Sequence, residues 1–213
     1  MVTSYKTILK PSEIEIIEKK SRFIGYAHPV KTEDEAIEFV NSIKQKHRDA
    51  THNVYAYITQ HNNINRFTDD GEPSGTAGLP TLDAIRKANF TDTAVVVTRY
   101  FGGTLLGTGG LVKAYSSAAS KAILAACPVV KTLSKIYSVV CRYDLLGSVE
   151  YSLENDGFVI ENKEFTDKVK LIIGVPFEKC ELLEKSMVAV TCGTAKVELI
   201  GEKFVNSEFL NGE

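Results

Sequence analysis

The chain has 213 residues and a mass of 23.4 kDa, with 44% hydrophobic residues, 24% charged residues and a formal net charge of −2. These proportions exclude a disordered, collagenous or low-complexity chain, and the length suffices to bury a core without disulfide staples. A charge so close to zero argues against a protein that binds polyanions over its whole surface.

The longest apolar run, Ala122 to Val130, contains Pro128 and falls well short of the roughly 20 residues a membrane-spanning helix needs. Residues 1–22 show no signal-peptide h-region. The four cysteines (Cys127, Cys141, Cys180, Cys192) form no close pair and sit in apolar surroundings. The expectation is a cytoplasmic protein with buried thiols and no membrane contact. Charge is divided unevenly: residues 1–135 hold 17 Lys/Arg against 13 Asp/Glu, and residues 136–213 hold 8 against 14. That asymmetry suggests two units with different partners.

In chain order, residues 14–19 and 22–30 read as a hairpin. Thr32 and Glu35 have capping-box spacing and open a helix over about 33–47, with Ala36, Ile37, Val40 and Ile43 inward. Residues 53–60 and about 64–68 form a strand pair around Asn62-Asn63, and Pro80 starts a short helix carrying Leu82, Ile85 and Ala88. Residues 93–99 read as a buried central strand. A helix over about 110–126 puts Leu111, Tyr115, Ala118, Ala122 and Ile123 on its core face, and Pro128 ends it.

The second half begins with a strand at 136–141. Asp144 then caps a helix with Leu145, Leu146, Val149 and Leu153 inward, which Asn155-Asp156-Gly157 stops. Residues 158–165 and 168–174 make a hairpin around Thr166-Asp167. A helix over about 176–191 follows, stopped by Gly193, and a strand at about 195–200 ends the pattern. This β-α-β-β-α-β order predicts a ferredoxin-like unit over 134–213, after a first unit over 1–133.

Two glycine-rich segments could carry chemistry. One is Asp69 to Gly78, with Asp70, Gly71, Glu72, Ser74 and Gly75. The other is Arg99 to Gly110, with Tyr100, Gly102, Gly103, Gly107 and Gly109, and it joins the buried strand to the long helix. Unpaired N–H groups at a helix start, with glycines that admit close approach, suit an anion. Arg66, Arg99 and Lys113 would add positive charge and Tyr100 a stacking surface. The same glycines also suit close packing or positive φ. The acids of the first segment offer hard oxygen ligands, but Asp-Gly and Glu-Pro are turn chemistry, so no metal is expected. His47 and His52 lie near no cysteine pair, H-E-x-x-H is absent, and His28 and His61 read as ordinary residues, so zinc is not expected. The P-loop, G-x-G-x-x-G and G-x-S-x-G patterns are all missing. No cofactor and no catalytic residue can be assigned, and the reading leans away from an enzyme.

The segments Lys20-Ser21-Arg22-Phe23-Ile24, His52-Asn53-Val54-Tyr55-Ala56-Tyr57, Asp69 to Pro80, and Val95-Val96-Val97-Thr98-Arg99-Tyr100-Phe101-Gly102-Gly103 through Leu106-Gly107 resemble the IMPACT/YigZ family. The resemblance covers the whole chain, because bacterial members carry a small ferredoxin-like domain after the signature domain. It implies an α+β protein whose first domain is of the ribosomal-protein-S-five domain-two type. In elongation factor G such a domain also precedes a ferredoxin-like one. Eukaryotic relatives restrain a stress-activated kinase of an initiation factor through an extra N-terminal domain. This chain starts at the signature domain, so that mechanism is not carried over. The resemblance and the basic first half together imply a translation-associated regulator that binds RNA or the ribosome through the glycine-rich groove. The alternatives are a protein-binding regulator without nucleic-acid contact, and an enzyme or small-molecule binder taking a phosphorylated or anionic ligand between the two glycine-rich segments. The oligomeric state is left open.

Overall fold

Strand β6 (Thr93–Tyr100) is the axis of the first unit. Its run Thr-Ala-Val-Val-Val-Thr-Arg is buried throughout, as a strand covered on both faces must be. A computed structural model describes residues 3–60 and 63–209 of the chain, and the side chains as far as residue 207. The expected turn at Asn62 and His61 lie outside the described residues.

The chain divides into two compact units, one mainly Tyr5–Val130 and the other mainly Lys131–Glu208. The first unit contains β1 (Ser4–Ile8), β2 (Ser12–Glu18), β3 (Ser21–Pro29), α1 (Glu33–Lys46), β4 (His52–Thr59), β5 (Ile64–Thr68), α2 (Gly78–Lys87), β6 and α3 (Thr108–Ala125). Its sheet has the order β2-β3-β6-β4-β5, and every neighbouring pair is antiparallel. Period-two alternation along β6 divides the core between the two faces. Val95 and Val97 join Phe23, Ala27, Val54 and Ala56 against α2 and α3. On the other face Val96 packs with Ile24, Tyr26, Val40 and Ile43, and Ala94 with Val30, Ala36 and Tyr57.

The second unit contains β7 (Pro128–Cys141), α4 (Leu146–Asn155), β8 (Val159–Phe165), β9 (Val169–Pro176), α5 (Cys180–Thr191) and β10 (Lys196–Phe209). Within it β9 lies between β7 and β8, β10 pairs β7, and the β7–β9 and β8–β9 pairs are antiparallel. Val139, Leu171, Ile173 and Val175 pack with Val149, Leu153, Leu183 and Met187 in a core of its own.

Several expectations need correcting. Sequence reasoning missed β1, and it started β7 eight residues late, because Lys131, Thr132, Ser134 and Lys135 interrupt its apolar pattern. Ile37 is exposed, so α1 buries a narrower stripe than expected. Thr32 Oγ1 caps α1 by accepting the Glu35 N–H, but the Glu35 carboxylate reaches back to the N–H of Lys31 and not to that of Thr32. Asp144 caps nothing and accepts from the Arg142 guanidinium. Of the four cysteines only Cys141 is fully buried, and Cys192 is exposed at the left-handed C-cap of α5, so the expectation of four buried thiols fails.

Candidate functional site

The two glycine-rich segments come together. A cavity of about 480 Å³ in the first unit is lined by Thr51, His52, Gly71, Glu72, Pro73, Arg99, Phe101, Leu105, Leu106, Gly107, Thr108 and Leu111. Arg99 reaches it from the next-to-last position of β6, on the α2/α3 side of the sheet. Its backbone register partners are Phe23 on β3 and His52 on β4.

Arg99 is 5% exposed and Glu72 is 8% exposed. Arg99 Nη1 donates to Glu72 Oε1 over 2.6 Å, and the Tyr115 hydroxyl donates to the same oxygen over 2.7 Å. His52 Nε2 lies 3.8 Å from that oxygen. His52 Nδ1 donates to the Asp70 carbonyl over 2.8 Å, because a carbonyl can only accept. The guanidinium carbon lies over the Phe23 and Phe101 rings, 5.4 and 5.5 Å from their centroids, within cation–π range. Burial, reinforced by the Glu72 carboxylate, pushes the Tyr115 phenol far above its ordinary pKa, so it remains a donor at every physiological pH. Among the described residues, Arg99 Nε is the one buried side-chain nitrogen or oxygen without a hydrogen-bond partner.

Asp69, Asp70 and Gly75 shape this site from behind. Asp69 accepts the N–H groups of Gly75, Ala77 and Gly78 at 2.8–3.0 Å, which closes the loop onto the start of α2. Burial raises its pKa, but the three backbone bonds together outweigh that and hold it below the usual carboxylate value. Asp70 sits at φ +46, accepts the Asn53 N–H and pairs with Lys44. Gly71 and Gly75 have φ of +89 and +75, and Ser74 is exposed.

The second segment is more varied than five glycines suggest. A Cβ on Gly102 would lie 2.0 Å from the carbonyl carbon and oxygen of Lys20, so Gly102 is a packing residue. Gly103 and Gly107 hold φ of +81 and +74. Gly107 is the N-cap of α3, offers no side-chain acceptor, and accepts the N–H of Leu111. Gly109 has open space around it, while Gly110 packs on Leu106.

The expected basic groove does not form inside the cavity. Arg66 pairs with Glu33 on the β5 side and Lys113 is an exposed residue of α3, and neither lines the cavity. Tyr100, one residue beyond Arg99, falls on the opposite face of the sheet, where its hydroxyl meets His47 Nδ1 and Asp49. His47, which also bonds the Tyr26 hydroxyl, is buried. Burial, helped by the Lys46 charge, lowers its pKa. The sequence reading missed His52 and Tyr115. Parity along β4 and β6 was the available signal for His52. Tyr115 was visible only as a core position.

The family comparisons agree with the motifs. The pattern of the Impact N-terminal domain matches residues 19–123, and a domain of unknown function (DUF1949) matches residues 139–194. IMPACT family member YvyE of Bacillus subtilis (strain 168) is 38% identical over 199 residues, covering 93% of this chain and 92% of that protein. This chain belongs to the IMPACT family. YigZ of Escherichia coli (strain K12), another IMPACT family member, is 32% identical over 201 residues, 92% of this chain and 98% of that one. The likeness to the Dictyostelium discoideum Protein IMPACT homolog is 39% over 97 residues, only 43% of this chain and 28% of that protein. A solved structure described as a crystal structure of an hypothetical protein superposes with a TM-score of 0.59 at 31% identity, covering 95% of this chain and all of that one. The residues that line the cavity all lie within the stretch matched by the Impact N-terminal domain. Among the described residues no helix is long and apolar enough to cross a membrane.

Proposed function

We propose that this IMPACT family protein is a cytoplasmic, translation-associated regulator that binds RNA or the ribosome with the rim of its glycine-rich loop. The element order of residues 128–209 and the antiparallel β7–β9 and β8–β9 pairs support a ferredoxin-like reading of the second unit. The three helices on both faces of the first sheet accompany a ribosomal-protein-S-five domain-two type reading of the first. Both readings favour a translation partner by analogy of fold.

One observation carries the proposal. Glu18 pairs with Ser21, so Lys19 and Lys20 alone form the β2–β3 turn, and both are left-handed, at φ +46 and +69. Such turns favour Asn-Gly, and each lysine there costs roughly 1–2 kcal/mol. Two adjacent exposed lysines are thus held in a strained tip, against Gly102 and next in the chain to the signature Ser21–Ile24. Phe101, 46% exposed, lies one residue from that contact. Cations that meet phosphates beside an exposed ring on which a base stacks suit single-stranded RNA.

The test is a substitution that favours folding. Lys19→Asn/Lys20→Gly removes both charges while giving the turn its preferred residues, so stability holds or rises. Co-sedimentation with ribosomes, or binding to single-stranded RNA, should weaken, and the slope of log affinity against log salt should shrink by about 1.4. Unchanged affinity and salt slope in the double variant would remove this reading.

A further inference from the structure

The interior of the cavity has a chemistry different from its rim. Arg99 is the one Lys or Arg in the lining, and Glu72 at 2.6 Å offsets its charge. Pro73, Phe101, Leu105, Leu106 and Leu111 supply apolar wall. Leu105 is 82% exposed at the mouth, which leaves an apolar side chain facing water unless something covers it. Thr108 begins α3, an 18-residue helix. The first hydrogen bond of that helix is from Leu111 N–H to the Gly107 carbonyl, and the glycine N-cap adds no acceptor. The N–H groups of Thr108, Gly109 and Gly110 therefore stand at the positive end of the helix dipole with no helical partner. Arg99, more than nine-tenths buried and in the same lining as Gly107 and Thr108, carries the unpartnered Nε. A buried N–H without an acceptor is costly, and a ligand oxygen would relieve it.

We propose that this cavity binds a small organic monocarboxylate with an apolar body. The carboxylate is held by the free N–H groups of α3 beside Arg99, and the body lies against Phe101, Leu105, Leu106 and Leu111. The volume of about 480 Å³ lies within the range of small-ligand pockets, about 300–1,000 Å³. A helix end and one already paired arginine match a single negative charge. A phosphate dianion would face the Glu72 carboxylate without a second cation to offset it. This site shares Phe101 with the RNA reading but none of its charges, because the Lys19-Lys20 tip does not line the cavity.

The test uses 3-phenylpropionate as probe on the full chain, followed by amide NMR. Saturable shifts are expected at residues 107–111 and at His52, and 3-phenylpropanol, the same shape without the charge, should bind about tenfold more weakly or worse. Thr108→Pro removes one N–H at a position where proline suits a helix and should weaken the acid but not the alcohol. Leu105→Asp, at an exposed position, should abolish binding. Three results would each overturn the proposal: no saturable shift at about 10 mM, equal binding of acid and alcohol, or tighter binding of 3-phenylpropyl phosphate than of the acid. Because the lysine turn is intact in all of these proteins, RNA affinity remains a separate readout.

Discussion

Glu72 is the residue on which the site depends. One carboxylate oxygen receives Arg99 and Tyr115 and lies close to His52, so removing it strands a buried guanidinium and a buried phenol. Glu72→Ala should lower unfolding free energy by about 3–5 kcal/mol. Adding Arg99→Met should restore much of that loss, because the uncompensated charge goes with it. Denaturant unfolding of the two single variants and the double decides the matter. A double variant less stable than Glu72→Ala would show that Arg99 contributes through something other than this pair. The sequence singled out both residues and set their segments around one candidate groove, but it read Glu72 chiefly as turn chemistry and did not pair it with Arg99. Their pairing spans 27 positions, and no local pattern reports a contact of that range. Tyr100 shows the reverse error: adjacency in sequence suggested a shared site, and strand parity sends the two side chains to opposite faces.

At the level of elements, the glycines of the loop into α3 divide by what surrounds them. Gly102→Ala would drive a methyl into the Lys20 backbone, where nothing flexible can yield, and a loss of about 3 kcal/mol or more is expected. Gly109→Ala sits in the first turn of a helix with nothing within 4 Å, so it should be neutral or stabilise by about 0.5–1 kcal/mol. Thermal unfolding of the pair tests whether packing or flexibility explains the glycine content, and equal effects would contradict this division. The elements themselves were largely legible: hydrophobic period and capping chemistry placed α1, α3, β6 and the β8–β9 hairpin to within a few residues. What failed was local chemistry with a second available partner. Asp144 turned to Arg142, and Glu35 reached Lys31. β1 lacked a recognisable pattern because a five-residue strand, exposed at its start and buried only at Thr7 and Ile8, carries too little period to detect.

At the scale of the whole molecule, each unit has its own buried cluster, one around Tyr115 and Val97 and one around Leu171 and Leu153. Leu171 is fully buried in the second cluster, and Leu171→Ala should cost about 2–5 kcal/mol. Hydrogen exchange should show that loss in β7, β8 and β9, while protection of β6 stays as in the parent chain. A matching loss of protection in β6 would show that the two cores unfold as one. The sequence by itself determined the two-part organisation, the order of the elements after β1, the core faces of α3 and β9, and membership in the IMPACT family, because all of these rest on local period, turn chemistry and contiguous motifs. The tertiary structure alone decided that Arg99 is neutralised, that Arg66, Tyr100 and Lys113 lie off the cavity, and that His52 and Tyr115 converge on Glu72. Those outcomes depend on strand register and on which face of the sheet meets a helix. A one-residue change of register would exchange the faces of Arg99 and Tyr100 and turn His52 away without altering the local pattern from which the strands were read, whereas Lys113 and Tyr115 depend on which face of α3 meets the sheet.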